Sequence, residues 1–270
     1  MKPLDVINSV DFGYRLAWAE RRYLLHLAVV PLVVRTVCLL AVVGLGWEQE
    51  YLRRALVMLP SFFTEGWMLA HLVRLIFYGQ RWPFRGSGDR ALDESLLMDR
   101  AYGVMTGTLF YVVIKFLTSG VLALVLSMQN AARTELATVA QTNAEPNPAL
   151  FLVALVLMGL TLWGFRFIFL YIPAAAGISG QFIVRTRQGF FLSIQMLGVW
   201  MVCSIPFVLM TILFLSILIP PVPAGADVPM ATSMVFVLLE VISETLIAIV
   251  STAAIAAGLR NMIEKNNASR

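Results

Sequence analysis

The last long apolar run of the chain, residues 231–258, carries two carboxylates near its middle, Glu240 and Glu244. They stand four residues apart, so a helix places both on the same face. A carboxylate in hydrocarbon is costly unless a base neutralises it, and such groups mark structural networks or pathways for protons and solutes. Other apolar runs offer three bases for this role, which are Arg35, Lys115 and Arg166.

Charged residues inside the apolar runs are nearly balanced. The bases are Arg35, Arg74, Lys115 and Arg166, and the acids are Glu65, Glu240 and Glu244. This balance favours mutual neutralisation over a pore of one sign. Arg35 stands near the middle of its run, so we expect it to meet one or more of the three acids. Lys115 lies at a depth that suits an ion pair with Glu240 or Glu244.

A second polar face lies on the second apolar run, where His71, Arg74 and Tyr78 recur at helical spacing. We expect this face to reach the inner membrane interface. Arg166 stands toward the same side of the membrane on its own run, and a long cationic side chain can extend from there to the interface. Glu65 points away from Arg74 on their common helix, so these two residues should not pair.

Composition indicates that lipid is the solvent for most of the chain. Its 270 residues are 59% hydrophobic and 13% charged, whereas a soluble domain carries about 25% charged residues. The basic residues are spread between apolar runs rather than clustered, which argues against a nucleic-acid partner. Cys38 and Cys203 both lie within apolar runs and are interpreted as small hydrophobic residues rather than a disulfide or a metal site.

Six apolar runs are each compatible with the roughly 20 residues that a bilayer core requires. They cover residues 24–46, 55–79, 101–127, 149–175, 191–219 and 231–258. The sequence therefore predicts an all-α fold, a polytopic membrane helical bundle of six transmembrane helices. We expect residues 1–270 to form a single membrane domain, with residues 259–270 as a tail.

Residues 1–22 are too polar to span a membrane but are patterned as a helix. The polar stripe is Asn8, Asp11, Arg15 and Arg22, and the apolar stripe is Ile7, Val10, Tyr14 and Trp18. This pattern predicts an N-terminal amphipathic surface helix. An ordinary cytoplasmic segment that leads into the first span is the alternative.

Positive charge divides the connectors between the runs into two groups. The N-terminal segment, the connectors 80–100 and 176–190 and the C-terminal tail hold 13 basic residues, and the other three connectors hold 3. Because cytoplasmic loops are enriched in Lys and Arg, this pattern places both termini in the cytoplasm. The alternation needs an even number of spans, which supports six.

The sequence contains no motif that assigns catalysis or cofactor binding. There is no Gly-rich nucleotide loop, His-Glu-x-x-His pair or Gly-x-Ser-x-Gly elbow. The run Gly177-Ile-Ser179-Gly180 is similar to the motif of rhomboid proteases, but no histidine follows His71 to activate Ser179. We therefore expect no enzyme activity, no cofactor and no metal site.

Two stretches carry a family resemblance. They are Arg166-Phe-Ile-Phe-Leu-Tyr-Ile-Pro173-Ala-Ala-Ala-Gly177 with Thr186-Arg-Gln-Gly189, and Phe77-Tyr-Gly-Gln-Arg81-Trp-Pro83. The chain resembles uncharacterised bacterial six-helix inner-membrane proteins related to the membrane domain of glycerophosphodiester phosphodiesterases. In that group Glu stands where this chain has Gln80. The resemblance implies the bacterial cytoplasmic (inner) membrane and transfers no activity, because the cytoplasmic segments are too short for the phosphodiesterase domain.

Two functions fit these observations. The first is a non-enzymatic integral membrane protein that acts by interaction, as a scaffold, an accessory subunit of a membrane complex or an envelope-maintenance factor. Its partners would be the lipid bilayer and other membrane-protein subunits or a second copy of itself. The alternative is a small-solute or ion transporter or channel that uses the buried Glu, Lys and Arg network.

Overall fold

The computed structural model describes residues 4–47, 50–83, 89–142, 167–178, 189–218 and 230–267, with single positions at 152, 155, 156, 159, 164 and 165. Within these residues all regular structure is helical, in eight helices. The helices are α1 (Val6–Ala19), α2 (Arg21–Gly44), α3 (Tyr51–Val57), α4 (Leu59–Tyr78), α5 (Arg90–Thr142), α6 (Tyr171–Ala175), α7 (Gly189–Leu218) and α8 (Met230–Asn267).

Four of the helices are long and apolar enough to cross a membrane, judged over the described residues. They are α2, the Leu92–Val121 part of α5, the Phe191–Ile217 part of α7 and the Met234–Lys265 part of α8. The pair α3 and α4 makes a fifth candidate if the two count as one span. The prediction of an all-helical, membrane-type protein is thus confirmed, with four candidate spans among the described residues. Much of the first part of the expected span 149–175, including residues 160–163 and 166, lies outside the described residues.

The expected second span, 55–79, is broken near its start. α3 and α4 meet at a bend of 61° beside Met58. Pro60 lies in the first turn of α4, where its missing N–H costs no helical hydrogen bond. A new helix therefore begins at the bend, and the side chains of its first turn face a helix end rather than a continuous helix.

The third span is longer than the prediction of 101–127, because α5 runs from Arg90 to Thr142 without a break. Parts of the expected connectors 80–100 and 128–148 are therefore helical. The loop signals in those connectors lie outside α5, at Pro83 before it and at Pro146 after it. The residues between them include Ala, Leu, Glu and Gln, which favour helix.

The N-terminal segment is helical as predicted, but α1 packs against α8 rather than lying apart on the membrane surface. A Cβ atom added at Gly13 would lie 2.9 Å from the Cβ atom of Ala254, and one added at Gly258 would lie 2.5 Å from Ser9 Oγ. The buried face of α1 holds Ser9 and Gly13, which belong to neither expected stripe. Small residues allow helices to approach closely, and they determine which face of α1 is buried.

Helix α4 forms the centre of the bundle. It packs against α2, α5, α6 and α8, and its middle is closed to solvent on all sides. The fully buried residues of this stretch are Met68, Leu69, Ala70, Leu72 and Val73. Large apolar side chains on the outer faces of α2, α5 and α7 are exposed, as expected for surfaces that face lipid. Polar residues of α4 are therefore surrounded by protein.

Candidate functional site

Arg35 of α2 lies between two carboxylates, and we call Arg35, Glu65 and Glu244 the central charge cluster. Arg35 Nη1 donates to Glu65 Oε2 at 3.0 Å, and Arg35 Nη2 contacts the Glu244 carboxylate. Arg35 and Glu65 are buried, whereas 46% of the Glu244 side chain is exposed. Three helices, α2, α4 and α8, therefore meet at one guanidinium group.

Close packing of α5 on α4 places further polar groups beside this cluster. A Cβ atom added at Gly66 would lie 3.0 Å from the Cβ atom of Tyr111, so the glycine next to Glu65 allows α5 to approach. Lys115 Nζ lies 5.5 Å from the centre of the Tyr111 ring. Tyr111 and Lys115 both interact electrostatically with Glu65. The site thus contains two bases and two acids within one region of the bundle.

The expected ion pair between Lys115 and Glu240 or Glu244 is not formed. Among the ion pairs that join described residues, none includes Lys115. Glu244 pairs with Arg35, and Glu240 Oε1 accepts a hydrogen bond from Arg54 Nη2 at 3.0 Å. Arg54 lies on α3, so this side-chain contact joins α3 to α8.

Three polar side-chain atoms around the central charge cluster have no hydrogen-bond partner among the described residues. They are Arg35 Nε, Glu65 Oε1 and Ser61 Oγ. Buried polar groups in proteins are almost always hydrogen-bonded. Ser61 and Glu65 are separated by four residues on α4, so the two acceptor groups lie on the same face of that helix. This part of the cluster is less completely bonded than its ion pairs suggest.

A second buried arginine, Arg74, has a different environment, and we call its surroundings the Arg74 cluster. Arg74 Nε donates to Gln80 Oε1 at 2.8 Å, and Nη2 pairs with the Asp99 carboxylate. Its Nη1 is 3.4 Å from the carbonyl oxygens of Asp99 and Ala175, and its guanidinium lies 5.0 Å from the centre of the Tyr78 ring. Only 1% of the Arg74 side chain is exposed.

The Arg74 cluster depends on a glycine of α5. A Cβ atom added at Gly103 would lie 2.2 Å from Arg74 Nη1 and 2.8 Å from the Ala175 carbonyl oxygen. Only a residue without a side chain leaves room for the guanidinium here. Nearby, the Tyr78 hydroxyl donates to the Ala176 carbonyl at 2.6 Å, which ties the end of α4 to the end of α6.

His71 lies one turn before Arg74 and belongs to an aromatic group. Its Nδ1 is 3.3 Å from Arg100 Nη2. The rings of Trp67 and Trp82 lie 4.8 Å and 5.5 Å from the imidazole ring. The expected face of His71, Arg74 and Tyr78 thus contacts the beginning of α5, and the Asp99 side chain, 67% exposed, connects it to the surface.

Several of these residues were not singled out by sequence reasoning. They are Arg54, Ser61, Gln80, Asp99 and Arg100. Arg54, Gln80, Asp99 and Arg100 stand just outside the expected spans, where charged and polar residues are common and carry little signal. Ser61 stands directly after Pro60, and this Pro-Ser pair at a helix start was the signal for it. Arg166, a predicted member of the network, lies outside the described residues.

No group of three or more His, Cys, Asp and Glu side chains is arranged to bind a metal ion within the described part of the chain. Cys38 and Cys203 are buried free thiols. Comparisons of the chain with protein-family models, with curated proteins and with solved structures find no match.

Proposed function

We propose that the protein is a six-span protein of the bacterial inner membrane, with both termini in the cytoplasm, that acts without catalysis by binding other membrane proteins. It would serve as a scaffold, an accessory subunit or an envelope-maintenance factor. Four long apolar helices support this proposal, with the bent pair α3 and α4 as a fifth candidate span. The concentration of basic residues in alternate connectors supports an even number and the orientation.

The observation that carries this proposal is the exposed polar stripe on α8. The side chains of Glu240 and Glu244 are 39% and 46% exposed, and that of Arg54, which pairs with Glu240, is 35% exposed. Large apolar residues of α8, such as Leu238 and Ile242, are exposed beside them. Exposed carboxylates at membrane depth are unfavourable in contact with lipid. A polar surface covered by another protein removes that cost.

The partner that fits this stripe is a transmembrane helix with hydrogen-bond donors. Both carboxylates accept hydrogen bonds, and each already has a base on one side, so the partner needs donors more than a full positive charge. Ser, Thr, Asn or Gln side chains provide such contacts between membrane helices.

The test is purification of the tagged protein in mild detergent, with identification and quantification of what co-purifies. We expect a stoichiometric membrane-protein partner for the native chain. Glu244→Gln should reduce its recovery about tenfold, because a hydrogen bond to a charged group contributes about 1.5–3 kcal/mol. Glu264→Gln is the matched control, since Glu264 lies further along α8 and pairs with Arg260 on the same helix. Equal recovery with both variants would exclude the stripe as the binding surface.

Transport of a proton or small solute is the second candidate. It is favoured by Glu65 Oε1, a buried atom of the central charge cluster with no hydrogen-bond partner among the described residues, because intramembrane acids occur in proton and solute pathways. Proteoliposomes loaded with a pH-sensitive dye test it. Transport predicts acidification that Glu65→Gln abolishes, and a rate equal to that of empty vesicles rules it out for protons.

A further inference from the structure

The ion pairs of the central charge cluster leave bonding capacity unused on three buried atoms, which are Arg35 Nε, Ser61 Oγ and Glu65 Oε1. Each residue is more than nine-tenths buried, with exposed fractions of 5%, 0% and 2%. Arg35 and Glu65 are joined by a 3.0 Å bond. Ser61 lies one turn from Glu65, and its backbone N–H faces Cys38, one turn from Arg35. The register of α2 against α4 therefore brings the three atoms into one region.

The break between α3 and α4 explains why Ser61 lacks a partner. Helical hydroxyl groups usually donate to the carbonyl four residues earlier, as Thr108, Thr245 and Ser204 do here. For Ser61 that carbonyl belongs to Val57, the last residue of α3, which is bent away by 61°. The break thus leaves the Ser61 hydroxyl, one turn from Glu65, without a bond to the described part of the chain.

The bonding capacity of these atoms defines the ligand. Arg35 Nε–H can only donate, the Glu65 carboxylate can only accept, and the Ser61 hydroxyl can do both. A cation would lie against the guanidinium, and an anion would lie against the carboxylate. The ligand is therefore uncharged, both donates and accepts hydrogen bonds, and is small, because the three residues around it are buried. Water has these properties, and buried waters typically make about three hydrogen bonds to protein.

We propose that Arg35, Ser61 and Glu65 form an internal water-binding site at the break between α3 and α4. The bound water accepts from Arg35 Nε–H and donates to Glu65 Oε1, and the Ser61 hydroxyl supplies its third bond. It completes the bonding of the arginine that joins α2, α4 and α8. This site stands independently of the proposed partner, because it lies on the buried side of the cluster.

Radiolytic hydroxyl labelling of the detergent-solubilised full chain tests the site, since side chains next to an internal water are modified even where bulk solvent does not reach. We expect labelling in the native protein at Phe62, which follows Ser61 in the chain, and at Cys38, which packs in the same cluster as Phe62. Ser61→Ala should reduce this labelling about fivefold, because one net hydrogen bond contributes about 1 kcal/mol. Ser61→Thr keeps the hydroxyl and should retain the labelling.

The matched control is Ser204→Ala, which removes a buried hydroxyl whose partner is the Trp200 carbonyl. It should leave labelling at Phe62 and Cys38 unchanged. Absence of labelling in the native chain, or equal labelling in Ser61→Ala and the native chain, would overturn the proposal. If Ser61→Ala does not fold, the comparison uses Ser61→Thr and a structure in which water is resolved. Density within about 2.6–3.2 Å of all three atoms is then the supporting result, and direct bonds from these atoms to protein groups the contradicting one.

Discussion

The two buried arginines of this bundle, Arg35 and Arg74, differ in how completely their guanidinium groups are bonded. All three guanidinium nitrogens of Arg74 donate hydrogen bonds, to a side-chain amide, a carboxylate and two backbone carbonyls, and the group also lies over an aromatic ring. Arg35 uses two nitrogens, both toward carboxylates, and its Nε has no partner among the described residues. One arginine completes the packing of helix ends, while the other neutralises charge in the middle of the bundle.

The difference lies in what each arginine compensates. Asp99 is mostly exposed and can be hydrated without Arg74. Glu65 is enclosed, and without Arg35 its carboxylate would lie in a medium of low dielectric constant with no ion-pair partner. Desolvation makes a lone buried charge far more costly than a hydrated one. Removing Arg74 should therefore destabilise the protein less than removing Arg35, although Arg74 has more bonding partners.

The largest expected effect comes from replacing each arginine with Met, which keeps much of the side-chain volume. Arg35→Met should lower the free energy of unfolding by about 3–5 kcal/mol, because it leaves Glu65 as an uncompensated buried charge. Arg74→Met should lower it by about 1–3 kcal/mol, because it leaves backbone carbonyls without donors. Reversible unfolding in mixed detergent micelles measures both. A larger loss for Arg74→Met would reverse the comparison.

A smaller effect should come from the glycine that makes room for Arg74. Gly103→Ala should destabilise the protein by about 1–3 kcal/mol, because the new methyl group overpacks a filled site. Gly120→Ala on the same helix is the control, since nothing lies within 4 Å of its added Cβ atom. It should be neutral or stabilising by up to about 1 kcal/mol. Equal melting temperatures for the two variants would count against the close packing at Arg74.

The sequence was informative about depth in the membrane and uninformative about the ends of helices. Counting residues along each apolar run was enough to suggest Glu65, Glu240 and Glu244 as candidate neighbours of Arg35, since 1.5 Å per residue converts position into depth. Arg35 contacts Glu65 and Glu244. It did not place Arg54 next to Glu240, because that contact depends on the 61° bend at Met58. Pro60 marks the start of a new helix, but the angle between α3 and α4 arises from packing between helices.

The same limit applies to the N-terminal helix. Hydrophobic patterning predicted an amphipathic surface helix in residues 1–22. The buried residues of α1 are Ser9 and Gly13, with Val10 and Tyr14 of the apolar stripe partly buried against the core. Small side chains are needed where α1 approaches Ala254 and Gly258. Patterning measures preference for lipid or water, whereas contact between membrane helices is governed by shape.

The smallest expected effect on stability is that of Glu244→Gln. The Glu244 side chain is 46% exposed, and Arg35 keeps Glu65 when Glu244 is neutralised, so the loss should be under about 1 kcal/mol. The unfolding measurement that separates Arg35→Met from Arg74→Met is sensitive enough to check this. A loss as large as that of Arg35→Met would mean that Glu244, rather than Glu65, is the acid that Arg35 compensates.

The central claim is that Arg35 stabilises the bundle by neutralising the buried Glu65, and a double-mutant cycle tests it most directly. Arg35→Met, Glu65→Gln and the double variant are compared with the native chain by unfolding in the same micelles. We predict that the double variant loses less stability than the sum of the single variants, by about 0.5–3 kcal/mol. Additive losses would show that the two residues act independently and would contradict the account.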